Sequence, residues 1–206
     1  MKRSIKHINP RYLYNKLLVV FYYYFYPTHP WLTKDAIKIL SSILKKDDVG
    51  VEFGSGRSTI WFAKQIKHLI SIEHDVSWYK NVKNLLKKES LSKKVDFHLK
   101  EKESDYQNFC ESINNETINF CLIDGIARDH CALKILPKIK PGGLLIIDNI
   151  NWFFPNDLTK SPSSRRIKDG YESETWLMVW EEIKNWRMIW TSNGVCDTAI
   201  WIKSYK

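Results

Sequence analysis

Four acids that close apolar runs are the first sign of chemistry in this chain: Glu52, Glu73, Asp124 and Asp148. An ionised carboxylate accepts several hydrogen bonds and can ligate a hard cation. A single strand-terminal acid is commonly a helix cap, but four on one sheet edge exceed chance placement. The first acid lies in Val49-Gly50-Val51-Glu52-Phe53-Gly54-Ser55-Gly56-Arg57-Ser58-Thr59. A buried strand that turns sharply into a helix reads this way. Gly54 and Gly56 allow a ligand to lie against the backbone. The helix beginning near Ser58 points free N–H groups into the same crevice. The stretch therefore reads as the floor of a nucleoside-cofactor site. Glu73, seventeen residues beyond Gly56, is placed to accept from ribose hydroxyls. A nicotinamide site would use the same geometry, but its fingerprint asks for a third glycine where Thr59 stands.

The elements that must hold these residues follow from periodicity. Strands are expected at 49–53, 68–73, 94–99, 118–125 and 144–148, with helices between them at 33–44, 58–66, 78–87, 104–113 and 128–139. Thr33 is a candidate N-cap for the first of these helices. Pro141-Gly142-Gly143 reads as a strong stop and turn. Strands alternating with helices give an α/β architecture, a doubly wound, mostly parallel sheet. A helix at 175–184 and two strands, 187–191 and 197–203, follow; the strands are separated by Asn193-Gly194 and read as a C-terminal antiparallel hairpin. Segment 151–174 lacks a clear period, and a connection of that length reads as a lid-like loop. Its Phe153 and Phe154 would wall a pocket or anchor the loop, and Arg165, Arg166 and Lys168 would clamp an anionic substrate or remain solvated.

The 206 residues suit one domain, assigned to 33–206, preceded by a distinct segment 1–32. Of the net charge of +9, Lys2, Arg3, Lys6, Arg11 and Lys16 contribute five before residue 27 with no acid among them. The body is thus only mildly basic, which argues against nucleic acid as a partner. The run Leu17 to Tyr26 is too short to span a bilayer, and no cleavage site follows it. Either it covers a flank of the fold or a homodimer face, or residues 1–26 form a peripheral membrane foot. The four cysteines have no metal spacing and read as reduced residues of a cytoplasmic protein, at most attached to the inner face of a membrane.

The motifs resemble class I S-adenosylmethionine-dependent methyltransferases. Their first motif is matched by Glu52, Gly54, Gly56 and Ser58, and their second by Glu73 at the end of its strand. The resemblance implies a Rossmann-like, seven-stranded sheet whose last strand is antiparallel, and in-line attack on a sulfonium methyl. It places the cofactor against Glu52, Phe53, Gly54, Ser55, Gly56, Ser58, Thr59, Glu73, His74 and Asp124. There is a finer similarity to O-methyltransferases of the catechol and caffeoyl-CoA type, whose fourth strand ends in a metal-binding Asp and whose fifth ends in Asp-Asn. Asp124 and the pair Asp148-Asn149 occupy those places, implying Mg²⁺ or Ca²⁺ as a second cofactor. Gly125 and Arg128 depart from that pattern and suggest a loop serving cofactor or substrate instead.

The expected catalytic set is Asp124, Asp148, Asn149 and Arg128. One of the two aspartates, or His130, would be the base if the acceptor is a hydroxyl. The function expected from sequence is methyl transfer to an oxygen of a small-molecule or glycan-like substrate. The alternative is a non-catalytic scaffold with the same fold at a membrane. An amino-methylating enzyme of nucleic acid is disfavoured because Asp148-Asn149-Ile150-Asn151 lacks the Pro-Pro-aromatic continuation of that motif.

Overall fold

The computed structural model describes residues 8–205; Lys2, Arg3 and Lys6 lie outside the described residues. Seven strands form one sheet: β1 (Val49–Phe53), β2 (His68–Glu73), β3 (Val95–Leu99), β4 (Ile118–Ile123), β5 (Ile139–Asp148), β6 (Arg187–Ser192) and β7 (Asp197–Ile202). Their spatial order is β3-β2-β1-β4-β5-β7-β6. All pairs are parallel as far as β5, and β7 runs antiparallel between β5 and β6. The order reverses between β1 and β4, and a crevice at the C-terminal ends of these strands is where such sheets bind ligands.

The helices are α1 (Pro10–Phe25), α2 (Lys34–Ile43), α3 (Arg57–Gln65), α4 (Val76–Lys88), α5 (Glu103–Asn108), α6 (Arg128–Ile135) and α7 (Glu174–Ile183). Side-chain oxygens start several of them, satisfying N–H groups that the first turn leaves free. Thr33 caps α2, Asp75 caps α4 and Ser173 caps α7.

Because side chains alternate along a strand, the inner strands bury residues on both faces. Val51, Phe53, Cys121, Ile123, Leu145 and Ile147 pack with Tyr106, Trp176 and Trp201 under α5, α6 and α7. Phe120, Leu122, Leu144 and Ile146 pack with Leu40, Phe62 and Leu86 under α2, α3 and α4. Each such side chain stabilises the fold by about 1.5–3 kcal/mol relative to exposure. The crevice is therefore set on a rigid floor.

Three local expectations need correcting. The helix foreseen at 104–113 is α5 followed by a 3₁₀ turn, Phe109–Ser112. The helix foreseen at 128–139 ends at Ile135 and gives way to a second 3₁₀ turn, Leu136–Lys138, where Pro137 supplies no N–H. Pro141-Gly142-Gly143 is not a stop before β5 but a bulge inside it. Pairing with β4 breaks after Ile118↔Ile139 and resumes at Phe120↔Leu144. Gly142 takes φ +76° and donates its N–H to the Lys203 carbonyl at 2.8 Å, while Lys203 N–H donates to the Gly143 carbonyl at 2.8 Å. Proline is tolerated in a strand at such a place.

Segment 151–174 is strapped to the body. Asn151 Nδ2 donates to Ser163 Oγ, and Ser161 Oγ donates to Asp197 Oδ1 at 2.5 Å. Phe153 stacks on Trp176 and Phe154 meets the same ring edge-on. Arg165 spends its donors on the carbonyls of Gly170 and Asp169, closing the loop on itself. Among the described residues no helix is long and apolar enough to cross a membrane.

Candidate active site

A cleft of about 630 Å³ opens at the C-terminal ends of β1, β2 and β4. Gly54, Ser55, Gly56, Arg57 and Ser58 form its floor, Glu73, His74 and Trp78 one wall, and Asp124 with Gly125 the other. Gly54 has φ +98°, and a Cβ there would stand 2.6 Å from the Gly125 nitrogen. At Gly125 a Cβ would fall 1.8 Å from the Tyr106 hydroxyl. The two loops therefore pack backbone to backbone, which only glycine allows.

Glu52, Phe53 and Thr59 lie beneath this floor rather than in it. Glu52 is inside β1 and fully buried, with Oε1 accepting from Thr59 Oγ1 and, at 2.7 Å, from Ser71 Oγ. The Thr59 hydroxyl in turn accepts from Gly56 N at 2.9 Å. Burial pushes the Glu52 carboxyl up to about 7 against the pull of these bonds, and its Oε2 has no partner. Its visible work is to hold the glycine loop and the start of α3 to β2.

Glu73 is 2% exposed and accepts from four donors. Ser55 N and Ser55 Oγ reach Oε2 at 3.0 and 2.7 Å; His74 N and Asp75 N reach Oε1 at 2.8 and 2.9 Å. Trp78, held by its backbone on the Asp75 cap, donates its indole N–H to the Ser55 carbonyl at 2.7 Å. Arg57 lies over the Trp31 ring at 5.4 Å, and its Nη1 is buried without a hydrogen-bond partner. Sequence reasoning passed over Trp78, Trp31 and Arg57. The only signals were an aromatic three residues past an N-cap acid and a cation between Gly56 and Ser58.

On the opposite wall Arg128 organises the ends of β4 and β5. Its Nε donates to the Gly125 carbonyl at 2.9 Å. Nη1 donates to the Asp148 carbonyl at 2.7 Å and to Asn149 Oδ1 at 3.3 Å, and Nη2 donates to the Asp124 carbonyl at 2.7 Å and to Asp124 Oδ1 at 2.9 Å. Asp124 lines the cleft, whereas Asp148 is 3% exposed and accepts from Thr198 Oγ1 at 2.6 Å. Burial raises both carboxyls. Asp148 reaches about 8, helped by the nearby Asp124 charge, and the Asp124 carboxyl is held down in part by Arg128. His130 is half exposed on α6 and faces Asp129, outside the cleft.

These contacts bear on the expected divalent ion. Of the residues proposed to hold it, Asp124 and Asn149 give side-chain oxygens to the Arg128 guanidinium and Asp148 its main-chain carbonyl, while the Asp148 carboxylate accepts from Thr198. Among the described residues no group of three or more His, Cys, Asp or Glu is arranged to hold a metal. As placed, this wall does not fit a cation site, because its cation is already present as Arg128.

Residues 51–150 match the family described as "Methyltransferase domain". The matched span covers just under half of the chain. It contains the whole cleft floor, both walls and Arg128, whereas Trp31 and segment 151–174 lie outside the matched span. No curated protein is similar enough in sequence to count as a relative.

Solved structures share this fold at low identity. The O-methyltransferase TomG from Streptomyces achromogenes, in complex with SAM, is 15% identical, with TM-score 0.61 over 84% of this chain and 82% of that one. A protein from Staphylococcus aureus assigned as a caffeoyl-CoA O-methyltransferase is 16% identical, with TM-score 0.59 over 97% and 94%. A protein from Streptococcus mutans assigned as a methyltransferase, in complex with SAH, is 14% identical, with TM-score 0.57 over 81% and 94%.

Proposed function

We propose that the chain binds S-adenosylmethionine in this cleft and transfers its methyl group to an oxygen of a small-molecule or glycan-like acceptor. The observation that carries the reading is a pair of charged groups lining the same cleft. The first is Glu73, which presents a carboxylate whose Ser55 hydroxyl partner can rotate away in favour of a ribose hydroxyl. The second is Arg57, whose Nη1 is buried and unpartnered, the state expected of a guanidinium that meets a ligand carboxylate. In the same cleft the Gly56 Cβ position meets nothing closer than Trp78 at 3.8 Å, leaving space for a ligand against the backbone. These residues fit the cofactor.

When bound, the cofactor supplies an already activated methyl group. The chain's part is then alignment, exclusion of water and removal of one proton. Trp78 covers the floor beside the Ser55 carbonyl. Asp124, the carboxyl that faces the cleft and is raised by burial, is the group suited to take the acceptor's proton. Asp148 sits behind Arg128 and acts through it as a positioning residue. Support for oxygen as the acceptor atom comes from this carboxyl and from the likeness of fold to the two O-methyltransferase structures. Calorimetry with S-adenosylhomocysteine is expected to show binding that Glu73→Ala weakens by at least about tenfold, equivalent to loss of one charge-assisted hydrogen bond or more. No binding by the unaltered chain would overturn the proposal.

A further inference from the structure

We propose that α1 is a foot that lies in the surface of an anionic lipid bilayer. The helix starts on a sound cap, with Asn9 Oδ1 accepting from Tyr12 N at 2.8 Å and Pro10 in the first turn. Yet none of its sixteen residues is buried. Its inner side rests on the body through Asn15, Tyr22 and Tyr23; Tyr23 Oη donates to the Leu32 carbonyl, and the Asn15 amide lies against Gly194. The opposite side presents Leu13, Leu17, Val20, Phe21, Tyr24 and Phe25, each at least half exposed.

At 3.6 residues per turn these six side chains fall within an arc of roughly 140° centred away from the body. Lys16 stands at one margin of that arc and Arg11 at the other. Basic residues at the borders of an apolar face, with aromatic rings among the apolar ones, are the pattern of a helix lying in the interfacial plane. Their long side chains can reach headgroups while the apolar face enters the acyl boundary.

Charge decides between occupants of this face. The first acid in the chain is Asp35, and Lys2, Arg3 and Lys6 precede the helix. A second copy of α1 would bring like charges together, whereas an anionic surface complements them. The surroundings agree with a flat partner. Leu158, 95% exposed, precedes Thr159, which bonds to Ser192 and Asp197 at the ends of the β6–β7 turn. Asn15 of α1 abuts the same turn at Gly194. Exposed Trp31 follows α1 and reaches the cleft floor at Arg57.

The test is co-sedimentation of the full chain with vesicles of phosphatidylcholine alone or mixed with phosphatidylglycerol, with sedimentation velocity run in parallel without vesicles. Retention on the anionic vesicles is expected, weakening on neutral ones and as salt is raised. Leu17→Glu with Phe21→Glu should lower partitioning at least about tenfold while leaving the thermal midpoint and cofactor binding unchanged, since neither residue supports the core. Failure of the unaltered chain to sediment with anionic vesicles would overturn the inference. So would self-association abolished by the same pair of changes without any vesicle retention, which would make a second copy the occupant. Neither result depends on whether the cleft binds S-adenosylmethionine.

Discussion

Replacing Glu52 by Gln should flatten the dependence of stability on pH. Burial holds this carboxyl up to about 7 in the folded chain against an ordinary 4.5. The native state then binds the proton more tightly than the unfolded state. Stability is fullest below about 4.5, falls as pH rises through the window between the two values, and levels off above about 7. The whole shift corresponds to about 3 kcal/mol, of which roughly 2–3 kcal/mol is lost between about pH 5 and about pH 8.5. Glutamine keeps the Oε1 acceptor for Thr59 and Ser71 but cannot ionise. Urea unfolding of both proteins across that range should give curves that separate steadily, the variant gaining on the parent as pH rises. The contribution of Asp148, raised in the same direction, is common to both and drops out of the difference. Parallel curves would refute the reasoning, because they would mean that Glu52 is solvated or charged in the native state.

Four further outcomes follow from the same geometry. Gly125→Ala should lower stability by about 1–3 kcal/mol, the range for overpacking, because its Cβ would strike the Tyr106 hydroxyl; in a Tyr106→Phe background, urea unfolding should show part of the loss recovered. Arg128→Met should cost about 3 kcal/mol or more, as for a buried ion pair broken on one side, and Arg128→Lys should restore little, since one ammonium cannot reach the same acceptors. If Asp124 is the base, turnover should fall as pH drops through a limb above the ordinary aspartate range, and Asp124→Asn should remove both the limb and most of the rate. Turnover of the parent should not change with chelator, because Arg128 already stands among the groups that would otherwise hold an ion.

The architecture was legible because it rests on long, unambiguous signals. Apolar runs ending in acids mark β1, β2, β4 and β5, and the Asn193-Gly194 turn marks the hairpin. What was misread depended on partners distant in the chain. Pro141-Gly142-Gly143 looks like a terminator until Lys203, from the far end of the sequence, is seen to bond on either side of Gly142. Glu52 was expected at a strand tip facing a ligand, but hydroxyls on α3 and β2 turn it into an internal tie. Arg165 and Arg166 read from sequence as an anion clamp or as solvated residues, because the carbonyls that engage them leave no signature there. The floor at 54–58 with Glu73, built from one contiguous stretch and one strand end, was more legible than the wall made by Asp124, Asp148, Asn149 and Arg128. There Asp124, Asp148, Asn149 and Arg128 were grouped from sequence, but the bonds from the one guanidinium to all three of the others had no sequence signal.

The way Arg128 is bound separates the charge of this wall from its shape. Three of its five hydrogen bonds go to main-chain carbonyls, those of Asp124, Gly125 and Asp148, and such acceptors do not titrate. When Asp124 gains or loses a proton, one bond of the set changes and the others persist. The wall of the cleft can therefore keep its shape through a full cycle of proton uptake and release, so that the acid–base state of the site and its geometry are separate variables. A wall built in this way keeps its geometry when the charge on one of its members changes.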